Sequence, residues 1–319
     1  MQKVLYLLTL LLITVYTYAD VSPVVINRLT NNEGLSNSSV NVIYQDSNNL
    51  MWFGTWDGLN LYNSREFKTF KPNPNVPGNI TNNIIRDIIE TTKGRLWITT
   101  DNGINLYTPE AMRFQSFFYD NKENSIFKER SFLICKNSHN KVIASVYNTG
   151  LYYFDEELSD FILIRNLKET SLKKLFFDKD DNLWLFTDNN SLYRVNLDWS
   201  KNKPDIKDIK PVILSQSSHD VFYNLYTNQI WEQNENRHIN IYDVPTETKI
   251  TEIPFSKVIS SIIFEKTGYV IGTANGLFSI QAQNHEITTL IEDIPVFSIY
   301  KGTQDILWVG TDGQGVIML

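Results

Sequence analysis

The feature that most restricts the fold of this chain is a short unit that occurs twice near the N terminus. The first copy runs from Asp46 to Tyr62 and reads DSNNLMWFGTWDGLNLY, and the second runs from Thr91 to Tyr107 and reads TTKGRLWITTDNGINLY. Each copy places a turn, an aromatic and β-branched strand, a glycine-containing turn and another strand in succession, which is the pattern of a β-hairpin. The copies are spaced by about 45 residues, as expected of successive blades of a β-propeller.

A second pattern extends the repeat over the rest of the chain. Two apolar residues three positions apart are followed, three positions later, by a turn residue, and this spacing recurs at 40–46, 85–91, 132–138, 172–178, 259–265 and 296–302. In most copies an anchor of the next strand follows six residues later, at Trp52, Trp97, Ala144, Trp184 and Trp308. The tryptophans are predicted to fill the space between neighbouring sheets. A degenerate copy at 217–255 brings the predicted number of blades to seven.

The two ends of the chain complete the predicted ring. The seventh copy stops at Leu319 after three strands, and a strand from Val24 to Leu29 precedes the first copy. Pairing these strands would leave no free sheet edge at the seam. We therefore predict an all-β fold, a seven-bladed β-propeller over 20–319 closed by the N-terminal strand. Its blades are placed at approximately 35–78, 79–123, 124–166, 167–216, 217–255, 256–293, and 294–319 plus 24–29.

The first residues of the chain have the pattern of a secretory signal peptide. Lys3 precedes an apolar run from Val4 to Val15, and Thr17 and Ala19 are small residues of the kind found before a cleavage point. The run is too short to cross a bilayer as a helix, and no second long apolar stretch follows. The sequence predicts a periplasmic protein that is cleaved after Ala19 and has no membrane span in the mature chain.

Charge and cysteine content indicate which partners and which covalent links the chain can have. The chain carries a formal charge of −7, which does not favour binding to nucleic acid. Cys135 is the single cysteine, so an intramolecular disulfide is impossible, and its apolar neighbours predict a buried thiol. The polar segment from Asn196 to Lys210 falls outside the repeat and is predicted to be an exposed insertion between blades four and five.

Motifs for catalysis or for a bound cofactor are missing from the sequence. The four histidines are His139, His219, His238 and His285, and their spacing is unlike that of metal ligands. The sequence has no glycine-rich phosphate loop, serine elbow or paired cysteines. We predict no catalytic residue, no metal and no cofactor.

A ring of polar and aromatic residues is predicted at one opening of the propeller, because the turn after the second strand recurs along the chain. The candidate ligand-binding residues are Trp56, Asp57, Asp101, Asn102, Tyr147, Asn148, Asp188 and Asn189. An aromatic face suits the apolar side of a sugar ring, and carboxylates and amides suit its hydroxyls. Trp56 stands where other copies have Asp101, Asn148, Asp188, Ala274 and Asp312, although packing against a neighbouring loop also explains an indole there. For the carboxylates, stabilisation of the turn itself is the alternative.

Two basic residues are candidates for the central channel. Arg86 and Lys173 occupy the same position early in the inner strands of blades two and four. There they would either contact an acidic ligand or be solvated or ion-paired.

Several of the repeats resemble a known family. Glu33-Gly34-Leu35-Ser36 followed by Met51-Trp52-Phe53-Gly54-Thr55 resembles the regulator-propeller repeats of bacterial hybrid two-component sensor histidine kinases, as do the segments 96–104 and 307–311. The resemblance covers about residues 24 to 319 and is weakest in blades three and five. It implies the periplasmic half of a sensor that detects glycan fragments and controls polysaccharide utilisation. In that family a second propeller, an immunoglobulin-like domain, a membrane helix and kinase modules follow, and this chain is expected to correspond to the first propeller alone.

The resemblance implies an oligosaccharide ligand or the downstream sensor domains as partners, with a homodimer as a further possibility. Two other functions stay open at this point. A propeller enzyme acting on glycans, or a streptogramin-lyase-like protein, would need an acid and a base that no blade pairs in sequence. A protein-interaction scaffold would use the faces of the ring without a small ligand.

Overall fold

Short runs of β-branched and aromatic residues, separated by asparagine and glycine turns, become strands throughout the computed structural model. The structure describes residues 27–73, 75–92, 94–119, 131–167, 170–201, 203–215 and 218–319. The predicted signal peptide, its cleavage point and residues 24–26 of the closing strand lie outside these ranges. Within them, the regular elements other than strands are two single turns of 3-10 helix, Asn31–Glu33 and Thr303–Asp305.

The strands form seven four-stranded antiparallel sheets, each with its strands in chain order except at the seam. Blade one contains β2 (Val40–Gln45), β3 (Met51–Thr55), β4 (Gly58–Tyr62) and β5 (Phe67–Phe70). Blade two contains β6 (Ile85–Glu90), β7 (Leu96–Thr100), β8 (Gly103–Thr108) and β9 (Arg113–Phe117), and blade three contains β10 (Phe132–Lys136), β11 (Val142–Val146), β12 (Gly150–Asp155) and β13 (Asp160–Asn166). Blade four contains β14 (Leu172–Phe177), β15 (Leu183–Thr187), β16 (Leu192–Asp198) and β17 (Asp205–Val212). Blade five contains β18 (Ser218–Asn224), β19 (Gln229–Asn234), β20 (Ile239–Asp243) and β21 (Lys249–Ile253); blade six β22 (Ile259–Phe264), β23 (Gly268–Thr273), β24 (Gly276–Gln281) and β25 (Ile287–Glu292); blade seven β26 (Val296–Lys301), β27 (Leu307–Thr311), β28 (Val316–Met318) and β1 (Asn27–Leu29).

The seam lies in blade seven, where the N-terminal strand is the outer strand. β1 pairs antiparallel with β28, with Asn27 opposite Met318 and Leu29 opposite Val316. The backbones approach so closely there that a Cβ on Gly315 would lie 2.2 Å from the Leu29 carbonyl oxygen. The predicted seven-bladed propeller and its closure by the N-terminal strand are confirmed.

Tryptophans of the second strands hold neighbouring blades together. Trp52 of blade one is 1% exposed, and its ring lies 5.1 Å from that of Tyr107 in blade two. Trp97 of blade two is fully buried against Phe154 of blade three, at 4.7 Å. Such contacts recur between blades five and six, where Trp231 lies 4.2 Å from Tyr269, and between blades seven and one, where Trp308 lies 5.8 Å from Phe53. Each buried aromatic ring removes a large apolar area from water. The predicted packing of these tryptophans between sheets is confirmed.

The turn between the first and second strands explains why an acid precedes some of these tryptophans. One carboxylate oxygen of Asp46 accepts hydrogen bonds from the backbone N–H groups of Asn48 and Leu50, which fixes the turn. The other accepts from the indole Nε1 of Trp52 at 2.9 Å. Asp178 and Trp184 repeat this bond at 2.9 Å in blade four. The carboxylate therefore stabilises both the turn and the buried indole.

Blade three differs from the prediction by one residue. Six inner strands have a register shift after their first residue, whereas β10 pairs with β11 without a shift. Because a slip of one residue reverses the faces of a strand, Ile143 and not Ala144 occupies the tryptophan position. Ala144 faces the preceding blade instead, in the cluster that contains Trp97. The prediction of Ala144 as the anchor is wrong.

The segment from Asn196 to Lys210 is also placed differently. It includes the end of β16 and most of β17, which pair with each other, so it belongs to the outer hairpin of blade four and is not an insertion between blades. Ile206 and Ile209 pack against the core shared with blade three. These two apolar side chains give the polar segment a buried side and keep it in the sheet.

Candidate functional site

The turns after the second strands are held beside the starts of the inner strands. The first turn residue of five blades donates its backbone N–H to the carbonyl just before the inner strand of the same blade: Trp56 to Ser39, Asp101 to Ile84, Tyr147 to Ser131, Asp188 to Ser171 and Asp312 to Pro295. The distances lie between 2.9 and 3.3 Å. Since the inner strands surround the central channel, these turns form a rim around one of its openings.

Trp56 is an exposed aromatic side chain on this rim. Its ring system is held at one end, where Nε1 donates to the side-chain oxygen of Asn41 at 2.8 Å. The residue nevertheless remains 47% exposed. The guanidinium of Arg86 lies 5.8 Å from the ring centroid, in the range of a cation–π contact. Trp56 is therefore oriented by a partner while a large part of its surface faces solvent.

Arg86 joins Trp56 to the rim of blade two. Its Nε donates to one oxygen of Asp101 at 2.5 Å, and its Nη2 donates to the other at 3.0 Å. The two parallel bonds fix the plane of the guanidinium, as a bidentate pair does. Of the predicted candidates, the structure brings Trp56, Asp101 and Arg86 together, and it adds Asn41. We call these four residues the rim site.

Sequence reasoning missed Asn41, although a signal for it exists. Asn41 and Trp56 are 15 residues apart, and so are Arg86 and Asp101. In each pair the first member is the second residue of an inner strand and the second is the first residue of the rim turn. The equal offset in two successive repeats could have linked the residues without a structure.

Other predicted rim residues have separate neighbours. Asp57 forms an ion pair with Lys71 at 2.6 Å, just beyond the outer strand β5, so its carboxylate is directed away from the channel. Asn102 has a buried side-chain oxygen without a hydrogen bond among the described residues. The side-chain oxygen of Asn189 accepts a hydrogen bond from the Thr187 hydroxyl.

Blades three and four contribute differently to the rim than the sequence predicted. Tyr147, 46% exposed, follows β11 directly and is the equivalent of Trp56, so the prediction of Asn148 for that position is wrong. Asn148 adopts a φ of 54° in the next position of the turn. Its equivalence with Trp56 fails because β10 lacks the extra residue of the other inner strands. In blade four, Asp188 is exposed at the rim.

Below the rim, the inner strands line an open cavity of about 500 Å³ in the channel. Its charged lining residues are Arg86, Asp87, Lys173 and Lys174, and much of the rest is apolar, with Phe132, Leu133, Phe222 and Phe264 among the contributors. Both predicted channel residues line this cavity.

The charges of the cavity have distinct partners. Lys174 pairs with Asp220 at 2.9 Å and lies 3.4 Å from the ring centroid of Phe222. Burial lowers the pKa of Lys174, and the Asp220 carboxylate opposes that effect. Lys173 donates to the side-chain oxygen of Asn190 at 2.7 Å. Burial raises the pKa of Asp87 to about 6.

Cys135 is buried in the core between blades three and four. Burial raises the pKa of its thiol well above the ordinary value, and the charge of Asp87 adds to this effect. The thiol therefore stays protonated and unreactive near neutral pH, as the sequence predicted.

The family comparison matches two segments of the chain. The model of the family described as "Two component regulator propeller" matches residues 34–57 and 79–102. Each matched segment covers an inner strand, the second strand and the rim turn that follows. This chain contains two-component regulator propeller repeats. The two matched repeats contain all four residues of the rim site.

Solved structures share the fold over most of the chain. The extracellular domain of what is named as the hybrid two component system BT3049 from B. thetaiotaomicron superimposes with a TM-score of 0.73 at 21% identity, over 92% of this chain and 41% of that one. The extracellular domain of a second such system, BT4673, gives 0.73 at 16% identity, over 92% and 42%. The Pan2 WD40 domain of Neurospora crassa gives 0.63 at 10% identity, over 92% and 94%. This chain thus spans less than half of the two B. thetaiotaomicron domains, and none of the curated proteins matches it.

The rim site within the two matched repeats can be described by the functional groups that it presents. Among the residues that the structure describes, no group of three or more His, Cys, Asp and Glu side chains is arranged to hold a metal ion. In the same ranges, no helix has the length and apolar character needed to cross a membrane. The rim site offers one exposed indole, a guanidinium, a carboxylate and an amide, which together can stack on a ring and exchange hydrogen bonds with hydroxyls.

Proposed function

We propose that this chain is a sensor propeller of a two-component system, and that its rim site binds a carbohydrate in the periplasm and releases it unchanged. The observation that carries the proposal is the arrangement of Trp56 and Arg86. An indole that is half exposed and held by Asn41 offers a fixed apolar face next to a guanidinium. Fixed aromatic faces beside charged hydrogen-bonding groups are typical of ligand sites in which a few polar groups set the orientation.

The regulator propeller repeats support the signalling part of the proposal. Both matched segments end at the rim turn, so the most recognisable part of the repeat is also the part that builds the candidate site. The B. thetaiotaomicron structures with this fold are named as extracellular domains of two component systems. A sensor module of this kind needs a binding site and passes its state to other domains or to a second copy.

The experiment is a binding screen of the purified chain against an oligosaccharide array, followed by calorimetry with the strongest ligand. We expect a 1:1 complex and, by mass spectrometry, an unchanged ligand after long incubation. Consumption of the ligand would replace the proposal with a propeller enzyme. If no oligosaccharide binds while a protein domain does, the rim is an interaction surface of a scaffold.

Export to the periplasm is part of the proposal and has its own measurement. The pattern of residues 1–19 predicts cleavage after Ala19. Mass spectrometry of the protein recovered from a periplasmic extract should find Asp20 as the first residue. Recovery from the cytoplasm with Met1 still present would contradict export.

A further inference from the structure

The channel cavity contains two charges of opposite sign that have no charged partner. Four described residues with charged side chains line it, and two of them are matched: Arg86 by Asp101 and Lys174 by Asp220. The other two are Asp87 and Lys173, neither of which forms an ion pair with a described residue. The two ion pairs contribute little net charge, so Asp87 and Lys173 determine which charged groups of a ligand the cavity attracts.

Asp87 is the stronger of the two signals because the same position carries a side-chain donor in blades four and seven. The equivalent residues Lys174 and Ser298 donate across the blade junction, to the carbonyl oxygens of Val221 at 2.8 Å and of Val40 at 3.1 Å. A carboxylate cannot donate in this way. The one hydrogen bond to Asp87 comes from the backbone N–H of Ile88, at 2.8 Å, among the described residues.

Asp87 is also partly buried, and this burial raises its pKa to about 6. At neutral pH the side chain is therefore a carboxylate in an apolar setting without a counter-charge. Such a group gains more from a bound cation than an exposed carboxylate does, because the surrounding dielectric is low. Asp220 occupies the same position in blade five and, unlike Asp87, forms an ion pair, with Lys174 at 2.9 Å.

Lys173 supplies the second charge. Its Nζ is held at 2.7 Å by the neutral side-chain oxygen of Asn190, which uses one of its three donors. Because Asn190 belongs to the rim turn of blade four, the ammonium is held at the rim end of the cavity with donors left for an anionic group. A carboxylate is a suitable acceptor, because bonds between charged groups are stronger than neutral ones.

The rest of the lining argues for an organic ligand. A metal ion would need several oxygen ligands, and the cavity that Asp87 lines is formed largely by phenylalanine and aliphatic side chains. Phe132 and Leu133 belong to blade three, which lies between the blades that carry Asp87 and Lys173. An apolar spacer between two charged ends would cover these residues.

We propose that the channel cavity, which borders the rim site at Arg86, is a second site and binds a small zwitterion whose ammonium meets Asp87 and whose carboxylate meets Lys173. A zwitterion satisfies both unmatched charges and enters without changing the net charge of the cavity. Its spacer must match the separation of the two side chains, so the site selects by length as well as by charge.

The test is calorimetry on the full chain at pH 7.5 with a series of straight-chain ω-amino acids, from glycine to 6-aminohexanoate. Each is compared with the amine and the carboxylate of the same chain length. We expect at least one length to bind about tenfold or more tightly than both single-charge analogues, in keeping with the strength of charged hydrogen bonds. A series in which no length exceeds its analogues would overturn the proposal.

Two variants locate the site. Asp87→Asn and Lys173→Met should each lower the affinity for the preferred length about tenfold or more, whereas Asp208→Asn, which removes an exposed charge on β17, should not. Retained affinity in Asp87→Asn places the zwitterion elsewhere and contradicts the proposal. Because Trp56 takes no part in this site, a negative result here and a negative oligosaccharide screen are separate outcomes.

Discussion

At the scale of single residues, the structure separates exposed aromatic side chains by their position. Trp56 lies on the rim, next to Arg86, whereas Tyr226 is 71% exposed at the turn between the first two strands of blade five. That turn belongs to the opposite face of the ring. Both residues are exposed, and they differ in the groups around them.

This difference gives the first prediction. Trp56→Ala should weaken binding of the carbohydrate found in the screen by roughly 1 to 3 kcal/mol, as expected for loss of a well-packed aromatic contact. Calorimetry measures the loss, and the melting temperature should stay close to that of the wild type because the ring is not in the core. Tyr226→Ala is the matched control and should bind normally. Equal affinities of Trp56→Ala and the wild type would remove Trp56 from the site.

The buried tryptophans allow a second comparison, because their indole N–H groups differ. Trp52 donates to Asp46 at 2.9 Å, whereas Nε1 of Trp97 is buried without a hydrogen bond among the described residues. Trp52→Phe should therefore lose about 1 to 3 kcal/mol more unfolding free energy than Trp97→Phe, because it leaves a buried carboxylate oxygen unpaired. Urea denaturation measures both. Equal losses would mean that the bond to Asp46 contributes nothing net. Trp97→Ala leaves a cavity between two blades and should therefore lower the unfolding free energy by about 3 to 5 kcal/mol.

The sequence predicts which of these side chains are buried, but it does not predict which side chains pair with each other. Burial of Trp52 follows from its place in an alternating strand, so the sequence predicts it. The bond from Arg86 to Asp101 and the bond from Lys71 to Asp57 depend on which way each side chain leaves its turn. Repeat position alone put Asp57 and Asp101 in one ring, although the first is directed to the outer strand and the second to the channel.

At the scale of strands, hydrophobic spacing predicts the blades well because each strand has a buried pattern of its own. It fails in blade three, where a single residue is missing from the inner strand and no tryptophan marks the register. Ile143 and Ala144 are both apolar and both buried, so composition cannot show which of them faces the next blade. The pairing of β10 with β11 decides it.

The seam offers a third prediction, from two glycines of one turn. Gly313 and Gly315 have φ values of 85° and 73°, so an alanine is strained at either position. A Cβ on Gly313 would meet nothing within 4 Å, whereas one on Gly315 would press on Leu29 of β1. Gly315→Ala should therefore cost about 1 to 3 kcal/mol more unfolding free energy than Gly313→Ala. Thermal denaturation of both variants checks this, and equal costs would show that the contact with β1 relaxes freely.

At the scale of the whole molecule, the channel connects stability to pH through Asp87. Its pKa is raised from 3.8 to about 6 in the folded protein, so the folded state keeps a proton that the unfolded chain releases near pH 4. Stability contributed by this residue falls as pH rises from about 4 to about 6 and then stays constant. The other charged residues that line the cavity are Arg86, engaged with Asp101, Lys174, engaged with Asp220, and Lys173, hydrogen-bonded to Asn190. The thiol of Cys135 stays neutral.

This loss of stability with rising pH gives the fourth prediction. Asp87→Asn should equal the wild type in unfolding free energy near pH 4 and exceed it by up to about 3 kcal/mol at pH 7, at 1.36 kcal/mol for each pKa unit. Denaturant titrations of both proteins at several pH values measure the difference, in which the contributions of other carboxylates cancel. A difference that is flat across this range would show that Asp87 titrates normally.

The closure of blade seven also fixes an order of events in time. β1 is among the first strands to be synthesised and β28 is the last of the ring, yet the two lie side by side. Translation proceeds at roughly 5 to 20 residues per second, so β1 waits many seconds for its neighbour while six blades can already form. Joining them closes a loop that contains almost the entire chain, and such long-range contacts are the slow step of folding. The ring is therefore expected to exist first as an open arc, and its completion depends on keeping one short strand unengaged until the last hairpin arrives.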